Sequence, residues 1–206
     1  MTRFRFLALA AAFSLATLTA NAADAPTTLT ERSIGSATAP VTVTEYYSLT
    51  CSHCARFAAD VFPKIKTDLI DTGKLRYVFA DFPLDKPALL AAQVARSLPP
   101  DRYEPFVLAL LGSQRRWAYS TDADPNAQLA RMASLAGLSR AQFDAAAADT
   151  ALRDAILAGV DSATKQFGVD STPTFIFNGP KTHNRKEAGE LSFDEFSAAV
   201  TDVAGP

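Results

Sequence analysis

The chain has 206 residues, 20 of them basic and 22 acidic, for a net charge of −2, and 48 % are hydrophobic. That length suits one domain with a sizeable core, or one domain carrying an insertion. Near-balanced charge without a basic cluster argues against nucleic acid as a partner, and two cysteines are too few for a disulfide framework.

Residues 1–22 read as an export address. Arg3 and Arg5 form a short basic start, Phe6 to Leu18 is apolar except for Ser14 and Thr17, and Ala20 and Ala22 are the small residues a signal peptidase reads. The apolar run is shorter than the roughly 20 residues a spanning helix needs, so cleavage before Ala23 and a periplasmic, soluble product are expected, with a second cut available at Ala23 to Ala25. Losing Arg3 and Arg5 leaves 18 basic against 22 acidic residues, a net charge of −4.

Residues 23–40 follow as a lead-in; from Thr27 to Pro40 they mix Thr, Ser, Pro and Gly and predict extended chain. Val41 to Tyr47 alternates, with Val41, Val43, Glu45 and Tyr47 on one face and Thr42, Thr44 and Tyr46 on the other, as a strand does. From Cys54 the period lengthens: Phe57, Val61 and Ile65 recur every four residues, so a helix should run toward Leu69, kinked at Pro63. Leu75 to Asp81 is the next strand, expected to pair parallel with the first.

A helical block spans residues 88–167, with helices at Ala88 to Leu98, Tyr103 to Leu111, Asn126 to Ala136, Ala141 to Ala148 behind Ser139 as N-cap, and Thr150 to Phe167. Within 168–206, Thr174 to Phe177 predicts a strand, Asn178 and Gly179 a hairpin turn, and Lys186 to Ala188 a weaker strand. Ser192 with Glu195 forms a capping box ahead of a last helix with an apolar face of Phe193, Phe196 and Val200. Residues 41–87 and 168–206 thus make two parts of one sheet domain, with the helical block inserted between them.

The chemistry concentrates at Cys51, Ser52, His53 and Cys54, between a strand end and a helix start. Unpaired amides and the positive helix end favour a thiolate at Cys51, and His53 adds to this if it is protonated or donates a hydrogen bond. A depression of two or three pKa units, at about 1.4 kcal/mol and about 30 mV each, would make the disulfide markedly oxidising. A purely structural bridge over so short a loop removes little chain entropy. Zinc normally takes four ligands, and the only other histidine, His183, is read as an exposed loop residue, so no metal site is assigned.

The Cys51-Ser52-His53-Cys54 motif, Glu45 six residues ahead of it, and Thr172-Pro173-Thr174-Phe175 before the hairpin resemble the DsbA family of thiol-disulfide oxidoreductases. The resemblance runs from about Gly35 to Val203 and implies an α/β thioredoxin-like fold: a central mixed sheet flanked by helices, with an inserted helical domain. It further implies a cis Thr172-Pro173 bond beside Cys51, substrate backbone binding at Thr172 and Pro173, and a buried, proton-shuttling Glu45. Ser52 and Thr172 stand where the best-known members carry proline and valine, so Ser52 is assigned to redox tuning. Also implied are a monomer without cofactor, folding exported proteins with cysteine thiols as substrates, and a DsbB-type quinone-linked inner-membrane reoxidant. Thr172 also resembles the isomerase branch, so a disulfide isomerase or reductase kept reduced by a membrane donor is the alternative. More distant readings are a metal-handling exported protein using the CxxC pair with His53, and a chaperone on the same fold.

Overall fold

The computed structural model describes residues 29–121 and 124–205, so the export segment predicted at residues 1–22 lies outside the described residues. A five-stranded sheet runs in the order β1-β3-β2-β4-β5, with β1 at Arg32–Ile34, β2 at Val41–Tyr47, β3 at Leu75–Asp81, β4 at Thr174–Asn178 and β5 at Arg185–Ala188. Only β2 and β3 are parallel; the other neighbours are antiparallel. β2 follows its own alternation: Val41, Val43, Glu45 and Tyr47 are buried, and Thr42, Thr44 and Tyr46 are half-buried.

Helix α1 (Ser52–Asp60) and α2 (Phe62–Ile65) lie between β2 and β3, and α9 (Phe193–Ala204) closes the chain. An aromatic cluster joins these helices to the sheet. Phe57 of α1 meets Phe175 of β4 with ring centroids 4.7 Å apart, Phe177 meets Phe196 of α9 at 5.1 Å, and Phe62 meets Tyr77 of β3 at 5.2 Å. Such tilted and edge-on pairs add about 0.5–1.5 kcal/mol each to the burial of their rings. Between β3 and β4 come α3 (Lys86–Arg96), α4 (Pro100–Gly112), α5 (Gln114–Trp117), α6 (Pro125–Leu135), α7 (Arg140–Ala148) and α8 (Thr150–Phe167). A smaller cluster of Phe82, Ala163 and Val169, with Tyr46 and Phe167 against it, seats α8 on the sheet.

Four local features differ from the sequence reading. The lead-in contains a strand: β1 pairs antiparallel with β3, and Arg32 ties it to the helical block by donating to the carbonyls of Arg96 and Leu98. The helix after the cysteines breaks at Val61, not at Pro63, and resumes with proline in the first turn of α2 before a π-helical turn at Lys66–Ile70. Proline's missing N–H costs nothing there, and the ring excludes the helix that would precede it. Gln114–Trp117 forms a short helix that no periodicity announced. The β4–β5 connection spans residues 179–184 and is no two-residue turn. Asn178 Oδ1 accepts from the Asn184 amide, while Gly179 approaches α9 so closely that a Cβ would stand 2.4 Å from the Val203 carbonyl.

The joint between sheet and helical block is a buried ion pair. Arg96 of α3 donates to Asp81 at the end of β3, their side chains 7 % and 2 % exposed. The other Asp81 oxygen accepts from the Tyr47 hydroxyl at 3.2 Å and the Tyr103 hydroxyl at 3.4 Å. Replacing Arg96 by methionine leaves Asp81 buried without its cation, and should lower the unfolding free energy by about 3–5 kcal/mol in urea titrations. Adding Asp81→Asn should recover most of that loss; a single variant costing under about 1 kcal/mol would show the pair to be dispensable.

Candidate active site

The loop leaving β2 carries the first cysteine and is held from several sides. The Cys51 amide donates to the Ser48 carbonyl at 3.1 Å. Gln114 of the helical block, itself buried, donates its side-chain amide to the carbonyls of Leu49 and Cys51, both at 2.9 Å, and the Tyr119 hydroxyl donates to the Thr50 carbonyl. Sequence reasoning missed Gln114 and Tyr119, because a lone glutamine and tyrosine more than 60 positions away carry no motif.

Cys51 is the N-cap of α1. Its backbone is extended (φ −76°, ψ 120°) and its sulfur accepts from the Cys54 amide at 3.3 Å. A serine or aspartate normally does this for the orphan amides of a first helical turn, so here the Cys51 sulfur occupies the site where a helix concentrates positive potential. Both cysteines are free thiols, Cys51 7 % exposed and Cys54 fully enclosed. The Cys51 thiol donates to the Thr172 carbonyl at 3.3 Å. The Thr172-Pro173 bond is cis, and the Pro173 carbonyl is taken by the Gly189 amide at 2.8 Å.

This setting separates the two thiols. The Cys54 thiol, donating to the Cys51 sulfur, is the chief cause that lowers Cys51 from 9.0 to about 5; burial opposes it, and the Thr172 side chain and the amides of Cys54 and His53 assist. Cys54 moves the other way, driven up by burial first, then by the hydrogen bond to Cys51 and the charge of Glu45. Glu45, buried beneath the pair, accepts from the Tyr77 hydroxyl at 2.7 Å and is raised by burial to about 7, with the charge of Cys51 adding to the rise. At pH 7 the site therefore holds a thiolate, a thiol and a carboxyl group near half-protonation.

His53 is placed otherwise than its motif position suggests. Its ring is exposed, and its Nδ1 lies 2.7 Å from Arg56 Nη2 and 3.3 Å from a Glu190 carboxylate oxygen. Arginine only donates, so Nδ1 acts as acceptor while that contact holds. The part of His53 that acts on the Cys51 sulfur is its backbone amide. Arg56 also donates to Glu190 at 3.0 Å, linking α1 to the loop after β5. Ser52 lines a groove shared with Arg56 and Gln114. No group of three or more His, Cys, Asp or Glu side chains suited to a metal ion occurs among the described residues.

A dithiol at the head of a helix, against a cis-proline loop on a mixed sheet, defines a thioredoxin-fold thiol site. The thioredoxin family model matches residues 27–202. The crystal structure of Wolbachia pipientis alpha-DsbA1 superposes with a TM-score of 0.77 at 32 % identity, covering 84 % of this chain and 90 % of that one. A Rickettsia typhi protein named "Putative protein-disulfide oxidoreductase" is 31 % identical over 168 residues, 81 % of this chain and 59 % of the relative, so the chain spans under two thirds of that relative's length. BdbD of Bacillus subtilis shares the fold, with a TM-score of 0.65 at 21 % identity. The chain belongs to the DsbA family of thiol-disulfide oxidoreductases.

Two measurements follow from the separated titrations. The Thr172 hydroxyl is buried without a well-formed hydrogen bond and helps to lower Cys51, so Thr172→Val should raise the Cys51 pKa, by less than the roughly one unit that a full hydrogen bond to an anion is worth. Titrating thiolate absorbance reads this directly, and an unmoved midpoint would remove the hydroxyl from the account. Glu45 sits at about 7 when folded against an ordinary 4.5. A raised carboxyl favours the fold fully below the unfolded value and loses that advantage as pH rises through the folded one. Between about pH 4.5 and 7 the wild type should therefore lose about 3 kcal/mol relative to Glu45→Gln, which keeps an acceptor for Tyr77 and has no charge to bury. Parallel stability curves for the two proteins across that window would contradict the buried charge.

Proposed function

We propose that this protein is an exported thiol-disulfide oxidase that transfers a Cys51-Cys54 disulfide to cysteine pairs of folding proteins. The observation that carries the reading is the lowered Cys51 thiol beside a raised Cys54. A substrate thiolate attacks the Cys51 sulfur, forming a substrate–Cys51 mixed disulfide and breaking the Cys51–Cys54 bond. The electron pair goes to Cys54, which is enclosed and needs a proton; Glu45, near half-protonation at pH 7, is the group placed to supply one. The substrate's second thiolate then attacks the substrate sulfur of the mixed disulfide and expels Cys51 as a thiolate. The substrate has lost two electrons and the enzyme has gained them, with no cofactor.

Stabilising Cys51 as an anion stabilises the reduced enzyme and so makes its disulfide a better oxidant. The step from 9.0 to about 5 is worth about 3 kcal/mol at pH 7, or about 60 mV for a two-electron couple. Because the folded value is depressed, this advantage is complete above the unfolded pKa and fades as pH falls toward 5. The Thr172 carbonyl, which accepts the Cys51 thiol in the dithiol form, is released once the sulfur is an anion or is bonded to substrate. It can then accept a substrate backbone N–H, as an added strand would present one. In this reading Ser52 tunes the potential from the first residue of α1, and His53 acts through its amide. The basic start and apolar run of residues 1–22 support a periplasmic site of action, and the reading includes a monomer whose disulfide a DsbB-type inner-membrane protein restores.

The alternative, an isomerase or reductase kept reduced by a membrane donor, uses the same site in the opposite resting state. Trapping free thiols at harvest separates them: Cys51 and Cys54 should be mainly disulfide-bonded, and the purified oxidised protein should introduce one disulfide per molecule into a reduced, unfolded substrate. Cys51→Ser should abolish that transfer. A mainly dithiol population in cells, with no stoichiometric transfer, would assign the site to the alternative.

A further inference from the structure

Adjoining the Cys51 loop, α1 and the α4–α5 junction line a groove of about 400 Å³ whose polar lining is Ser52, Arg56, Ser113, Gln114, Arg115 and Arg116 and does not include Thr172. Its position relative to the nucleophile is fixed by a backbone contact: the Gln114 side chain donates to the Cys51 carbonyl at 2.9 Å, and Arg115 and Arg116 are the next two residues. α5 is held in turn by Trp117, which is buried and donates its indole N–H to the Leu110 carbonyl at 2.8 Å. Arg115 and Arg116 are exposed, and their guanidinium groups have no ion-pair or hydrogen-bond partner among the described residues; no carboxylate lines the groove. Arg56, on the opposing helix, keeps one carboxylate partner, Glu190, in the neighbouring groove that holds Thr172. A chain with more acidic than basic residues has thus gathered three guanidinium groups around a groove that adjoins the Cys51 loop.

We infer that this groove selects substrates: it takes the carboxylate of an aspartate or glutamate close to the reacting cysteine of an unfolded polypeptide. The inference rests on the oxidase reading and names its preferred substrate class. Guanidinium groups hold carboxylates through paired, charge-assisted hydrogen bonds, and a cleft lined by one sign of charge raises the encounter rate of the opposite sign. The attraction acts before any sulfur has reacted, so it belongs to capture of the substrate. The chemical steps at Cys51 are the same for every peptide.

The test uses the full mature protein in its disulfide form and two dithiol peptides of identical cysteine spacing, one with Asp and Glu beside the cysteines and one with Asn and Gln. Each peptide's rate is divided by its own rate with a small uncharged disulfide, which removes the effect of its charges on its own thiols. At low salt the acidic peptide should react about tenfold faster than the neutral one, and the preference should collapse near 1 M salt, where screening is within about 3 Å. Arg115→Glu with Arg116→Glu should reverse the ratio, and the glutamine pair should bring it near unity. Because the readout is a ratio within one protein, a general loss of activity cancels. A wild-type ratio near unity, or a preference that survives charge reversal, overturns the groove's role. A wild type that cannot oxidise even dithiothreitol overturns the oxidase reading, and the substrate preference falls with it.

Discussion

The whole arrangement depends on a sulfur atom serving as a helix cap. An N-cap side chain must accept hydrogen bonds from amides that have no partner within the helix, and a thiolate accepts them better than a thiol. By placing Cys51 in the cap and Cys54 one turn later, the backbone gives one sulfur the amides and the other a proton to donate. The two cysteines are chemically alike in the unfolded chain; their positions at the start of α1 make them opposites. Every other element near the site preserves that difference, either by fixing the cap or by keeping water from Cys54.

The helical block contributes to this although it lies far away in sequence. Gln114 and Tyr119 grip the carbonyls of Leu49, Thr50 and Cys51, while the Asp81–Arg96 pair with Tyr47 and Tyr103 ties the same block to the ends of β2 and β3. The inserted helices are therefore a brace for the loop as well as a wall beside it. A loop free to rearrange would let the cap geometry relax and the Cys51 thiol drift back toward its ordinary range, since hydrogen bonds to an anion weaken steeply as they bend. Burial of Gln114, which costs solvation of its amide, is offset because both of its donor hydrogens are used.

Much of the fold could be read along the chain, because its signals are local. β2 has the bounds its alternation and β-branched content predict, β3 has those read for it, α8 runs from Thr150 to Phe167, and Ser139 and Ser192 cap their helices. What escaped is mostly what tertiary contact decides, together with the exact point at which a proline breaks its helix. The break at Val61 answers to a proline two residues later, β1 exists only through its pairing with β3, and Gly179 serves a close approach to Val203 that no dipeptide rule contains. At the site, the motif located Cys51, Cys54, Glu45, Thr172 and Pro173 in the chain, but the orientation of His53 toward Arg56 and Glu190 depends on a loop 137 residues away. Gln114 and its arginine neighbours were silent for the same reason.

Glu45 shows what such a site costs. A carboxyl buried beneath two sulfurs weakens the fold wherever it is ionised, and the Tyr77 hydrogen bond recovers only part of that loss. An apolar residue would pack there without penalty, yet in the proposed exchange it would leave Cys54 to depart from the disulfide as a desolvated anion without the Glu45 proton. Near pH 7 a group raised to about 7 is protonated often enough to give a proton and ionised often enough to take one back. In the proposed exchange the low Cys51, the high Cys54 and the intermediate Glu45 form one graded set: the first would release substrate, the second would need a proton to leave, and the third would bridge them. Moving any one toward its ordinary value would slow one half of the exchange, whichever direction the cell drives it.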